Sequence, residues 1–153
     1  MNLIKFLKSG IIALVLTFTA TFASAGGHFD ANNHDASMLS EAQLKAMVEE
    51  AMKVNPPKNG KNYVFGFANL QRDIAFCALV EEGILANAEA AGIEILVTDN
   101  LLDGATAMAN AESYITRNVD YVIEFQTDAA FGEMIMNKMN MNGIGVTAID
   151  IPM

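Results

Sequence analysis

Hydrophobic and polar positions change rhythm three times along the chain. Lys5 and Lys8 precede an apolar run from Ile11 to Phe22, and the small-x-small triplet Ala23-Ser24-Ala25 follows. A basic start, an apolar middle and a small-residue end are the layout of a secretory signal peptide, with cleavage expected after Ala25. The apolar run is shorter than the roughly 20 residues a membrane-spanning helix needs. Gly26 to Met38 is polar and reads as a flexible leader. Ser40 then opens a helix. Ser40-Glu41-Ala42-Gln43 fits a capping box, in which hydroxyl and side-chain amide satisfy free backbone N–H groups. Leu44, Met47, Val48 and Ala51 form one apolar stripe. Pro56-Pro57 ends the helix, and Lys58 to Asn62 is a polar turn.

From Tyr63 onward, short apolar runs alternate with helical periodicity. Strands are expected at Tyr63–Phe67, Ile93–Val97, Tyr121–Phe125 and Gly145–Ile149. A helix from about Asp73 to Ala91 places Cys77, Val80, Ile84, Ala88 and Ala91 on one face, and Gly92 stops it. A second helix follows Asp103-Gly104, with Met108, Ala111 and Ile115 inward. A third is capped by Thr127 or Asp128, turns Phe131, Ile135 and Met139 inward, and ends at Gly143. This alternation predicts βαβ units and an α/β fold with a parallel four-stranded sheet. Parallel strands need cover on both faces. The three crossover helices and the extra N-terminal helix at Ser40 are the candidates to supply it.

The chain therefore divides into a signal peptide (1–25), a leader with an amphipathic helix (26–62), and an α/β body (63–153). No helix follows the fourth strand before Met153, so the body reads as truncated, with that strand an exposed edge.

Length and composition narrow the functional classes. With 153 residues, 52% of them hydrophobic, the chain builds one core rather than two. A net charge of −9 excludes nucleic acid and anionic membrane surfaces as partners. Loss of Lys5 and Lys8 with a signal peptide would make it more acidic still. The single cysteine, Cys77, excludes an internal disulfide and sits in an apolar run as a small buried hydrophobe. Both histidines, His28 and His34, fall in the leader, so the body has no base for a Ser-His or Cys-His mechanism. It also lacks G-x-G-x-x-G, Walker A and G-x-S-x-G signatures. No catalytic residue, metal or cofactor is expected. Met134, Met136, Met139 and Met141 are soft sulfur ligands of the kind that suit Cu(I). The same spacing serves a helix with Met134 and Met139 packed inward and Met136 and Met141 pointing elsewhere.

In open parallel sheets, ligands bind outside the carboxyl ends of the strands. Those ends carry Asn69-Leu70-Gln71-Arg72-Asp73, Thr98-Asp99-Asn100, Glu124-Phe125-Gln126-Thr127-Asp128, and Asp150. Their planar amide, carboxylate and guanidinium groups suit vicinal hydroxyls or a carboxylate. Phe76 and Phe125 offer flat apolar faces. Helix capping accounts equally well for Asp99 or Asp128. Glu124 lies inside an apolar strand, where burial without a partner is costly. A small hydrolase or transferase working through Glu124 and Asp150 is a rival reading.

Several segments in this order resemble the type I periplasmic sugar-binding proteins, the ribose- and galactose-binding relatives that feed ABC importers. They are Tyr63 to Asn69, Phe76-Cys77-Ala78-Leu79-Val80-Glu81-Glu82-Gly83, Ala91-Gly92-Ile93-Glu94, Ile95 to Asp99, Gly143-Ile144-Gly145-Val146 and Ile149-Asp150-Ile151-Pro152. The resemblance implies a non-enzymatic periplasmic solute-binding protein for a sugar or polyol, serving an ABC permease in the inner membrane and monomeric when complete. Members have two α/β lobes joined by a hinge, and residues 63–153 are similar to the N-terminal lobe only. Carried over, the ligand-binding residues are Asn69, Gln71, Arg72, Asp73 and Phe76 after the first strand, Gln126 and Asp128 after the third, and Asp150 after the fourth. Ile151 stands where many members have Arg, and Asp73-Ile74-Ala75-Phe76 where many have Asn-Pro-Phe-Phe. With one wall of the cleft, the chain alone is expected to bind sugar weakly or not at all. A ligand-sensing module for chemotaxis or a sensor kinase uses the same lobes and is the alternative.

Overall fold

The computed structural model describes residues 39–150, which form one compact unit. The signal-peptide and leader expectations, and Ile151, lie outside the described residues. The elements run α1 (Glu41–Val54), β1 (Val64–Asn69), α2 (Ala75–Ala91), β2 (Glu94–Asp99), α3 (Gly104–Thr116), β3 (Tyr121–Phe125), α4 (Ala129–Met141) and β4 (Gly145–Ile149). All four strands are parallel, in the order β2-β1-β3-β4. The α/β architecture read from the sequence is the one observed.

Local signals account for most boundaries. Ser40 and Gln43 form the capping box that starts α1. Gly92 ends α2 in the left-handed conformation, at φ 73°, that glycine adopts without a Cβ penalty. Asp103 caps α3 and Asp128 caps α4, each accepting a backbone N–H. Helix α2 starts two residues later than expected, because its cap position is Ile74 and the Asp73 carboxylate accepts instead from Gln71. Strands β1 and β2 each run two residues further, to Asn69 and Asp99, which pair with each other in register.

Strand alternation sorts the core into two clusters. On one face lie Ala68 and Val122 with Ala107, Ala111 and Tyr114 of α3, Ile135 and Met139 of α4, and Ile144 just before β4. On the other lie Phe67 and Phe125 with Cys77, Val80 and Ile84 of α2. Tyr114 fits because it faces Gly66, where an added Cβ would come within 2.8 Å of its ring. Helix α1 packs against α2 but buries no residue fully, and the Tyr63 hydroxyl donates to its Asn55 carbonyl. In α4 the inward stripe is Gly132, Ile135 and Met139. Met134, expected inward, is instead exposed, because it sits one residue, or about 100° of helix, away from Ile135.

Candidate functional site

The sheet order fixes where the strand ends can form a crevice. From β1 the chain crosses through α2 to β2 on one side, then returns through α3 on the opposite face to β3 on the other side. Strand order therefore reverses between β1 and β3, and the carboxyl ends of that pair define a switch-point crevice. Asn69 closes β1 there, and Phe125-Gln126 closes β3. Phe76, at the start of α2, meets Phe125 edge to face with ring centroids 6.1 Å apart. Phe125 is buried, so Phe76, 61% exposed, alone offers a ring to a ligand.

The β1 corner is a hydrogen-bonded unit. The Asn69 amide donates to the Cys77 carbonyl at 3.2 Å and to Glu81 Oε2 at 2.8 Å. Arg72 Nε donates to Glu81 Oε2 at 2.9 Å and lies 3.2 Å from Oε1, while Nη2 donates to Oε1 at 2.6 Å. The Arg72 backbone N–H donates to Asp99 Oδ2 at 3.3 Å, which ties the corner to β2. The guanidinium holds the Glu81 carboxyl below the usual carboxylate range, against the opposing pull of burial. Asn69 Oδ1 is buried without a partner.

The β3 end is also polar and more enclosed. Gln126 is buried, and its amide donates to the Asp128 carbonyl at 3.0 Å. The Thr127 hydroxyl is buried without a partner. Glu124 accepts on Oε1 from the Asn100 amide at 2.7 Å, and Asn110 in turn donates to Asn100 Oδ1 at 2.9 Å. Glu124 Oε2 has no partner. Burial pushes the Glu124 carboxyl up to about 8, and the single Asn100 bond offsets only part of that.

Of the sequence-predicted residues, Asn69, Gln71, Arg72, Asp73 and Phe76 cluster at the β1–α2 corner. Gln126 and Asp128 stand across the crevice at β3–α4. Asp150 is exposed beyond β4, two strands away from β1, in a left-handed conformation at φ 73°. Asp128 caps α4, and Gln126 bonds to its own loop. Sequence reasoning missed Glu81. Its signal was an acid on the otherwise apolar α2 stripe of Cys77, Ile84, Ala88 and Ala91.

No protein-family model matches the sequence, and no curated protein matches it. Solved structures match the fold. One is an ABC transporter solute-binding protein from Mycobacterium smegmatis with bound glycerol, at TM-score 0.57 and 21% identity, covering 60% of this chain and 32% of the other. A second is the periplasmic binding protein component of the arabinose ABC transporter from Shewanella sp. ANA-3, bound to L-arabinofuranose, at TM-score 0.54 and 18% identity, covering 57% and 29%. A third is a galactofuranose-binding protein, at TM-score 0.53 and 18% identity, covering 58% and 31%. The chain thus spans about a third of the length of these structures, and its described part has the α/β fold of a periplasmic-binding-protein-like lobe.

Proposed function

We propose that this chain provides one wall of a periplasmic binding site for a sugar or polyol, delivering it to an ABC permease without chemical change. The observation that carries this reading is the topological switch point between β1 and β3, where Arg72 and Phe76 are exposed beside the buried amides of Asn69 and Gln126. Hydroxyl groups both donate and accept, which suits a wall where amides, carboxylates and a guanidinium stand beside one exposed ring. The fold neighbours with bound glycerol and arabinofuranose support the same ligand class. Secretion through residues 1–25, with cleavage after Ala25, and the division at residue 62 belong to this proposal. So do Gln71, Asp73, Asp128 and Asp150 as further ligand contacts.

An NMR titration of the isotope-labelled chain tests it, using a panel of neutral pentoses, hexoses and polyols. The expected result is weak binding by at least one member, with shifts grouped at Asn69, Arg72, Phe76 and Gln126. Shifts confined to the opposite end of the sheet overturn the reading.

A further inference from the structure

We infer that Glu81 sets the ligand preference of the β1 corner, making it a receptor for neutral hydroxyl groups that excludes carboxylates, an inference that rests on the solute-binding reading. Glu81 comes from a helix face, not from a strand end, and its side chain is 10% exposed against 52% for Arg72. It occupies the Nε and Nη2 edge of the guanidinium. The N–H groups of Nη1 and the second N–H of Nη2 are left as fixed donors on a half-exposed side chain. Asn69, fully buried, donates to the same carboxylate and helps fix its position.

Donors held in one geometry, on a guanidinium whose charge Glu81 balances, suit the oxygen of a neutral hydroxyl. A carboxylate only accepts. It is held best by a guanidinium whose charge is uncompensated, which the Glu81 pairing denies it. Charge points the same way. Glu81 cancels the cation of Arg72, and Asp99 and Asp73 lie at the same corner. With Glu81 ionised, Arg72 has no net positive charge to offer an anion, whereas neutralising Glu81 uncovers that charge. A Glu81 that served packing alone would give no such discrimination.

The test compares the native chain with E81Q and E81D. Gln keeps an acceptor for Asn69 and Arg72 but drops the charge, whereas Asp keeps the charge but shortens the reach. The probe is sodium sulfate at constant ionic strength, and the readout is the 15N resonance of Arg72 Nε–H. The native protein and E81D should not respond, and E81Q should show a saturating shift. Equal responses in native and E81Q, no response in either, or a response in E81D matching that of E81Q overturns the inference. A second arm titrates D-glucose and D-glucuronate. In E81Q the affinity ratio should move about tenfold toward glucuronate, equivalent to about 1.4 kcal/mol. If D-glucose shifts only resonances at the opposite end of the sheet, the solute-binding reading falls, while the sulfate arm still decides the role of Glu81.

Discussion

Two glutamates are buried in this lobe, and they are held in opposite ways. Glu81, on α2, and Glu124, on β3, each accept an amide N–H from an asparagine, at 2.8 and 2.7 Å. Glu81 also receives a two-pronged contact from Arg72, and its carboxyl is held below the ordinary range. Glu124 receives nothing further, and its carboxyl is pushed up to about 8. At Glu124 the single amide bond offsets only part of a deep desolvation, whereas at the less enclosed Glu81 the guanidinium outweighs burial. Access explains which acid obtains the guanidinium. Glu81 lies at a corner where a half-exposed loop can place Arg72, whereas Glu124 lies on the face covered by α3 and α4 and is fully buried.

The comparison breaks most visibly with pH. An acid whose folded pKa is raised stays protonated in the folded chain while the unfolded chain ionises, so stability falls as pH rises from about 4.5 to about 8. Between pH 5 and pH 8 this amounts to roughly 3 kcal/mol. Urea unfolding across that range should show the loss in the native chain, and E124Q should flatten it. A native profile without a fall would contradict the protonated state of Glu124. Glu81 has the opposite sign. Its contribution is present above its unfolded pKa and is lost as pH falls through the depressed folded value.

The next largest effect comes from removing the guanidinium. R72A leaves Glu81 with only the Asn69 amide and should cost about 2 kcal/mol at neutral pH. It should also reverse the direction of the Glu81 shift, so that Glu81 comes to behave like Glu124. Direct 13C titration of the Glu81 carboxyl measures both states. The smallest effect sharpens the contrast with solvent-exposed pairs. Lys45 contacts Glu41 one turn away on α1, with both side chains largely exposed. K45A should leave the urea midpoint unchanged within error, since exposed ion pairs contribute little.

Much of this was legible in the sequence, and what escaped shares a physical cause. Strands β3 and β4 fall where alternation and flanking turns placed them. The ends of β1 and β2 escape the alternation pattern, since Asn and Asp are poor strand formers. The ladder between Asn69 and Asp99 overrides that preference. Tyr114 and Ala107 were absent from the predicted inward face of α3, although both are buried. Tyr114 depends on Gly66 in β1, which helical periodicity cannot register. The Arg72–Glu81 pair spans nine residues between a loop and a helix face, a separation that neither helical nor strand periodicity encodes. The polar strand ends did disclose the candidate crevice, but the side on which β3 would pair did not appear in any local pattern.

That pairing carries a consequence for how the chain assembles. β1 is the first strand among the described residues yet lies inside the sheet, between β2 and β3. Its second hydrogen-bonding row is filled only by residues 121–124, more than fifty positions later. A chain emerging from the ribosome thus carries its strand of Phe67 and Ala68 half-paired until β3 has been synthesised. During that interval the growing chain exposes a backbone edge that the finished fold conceals.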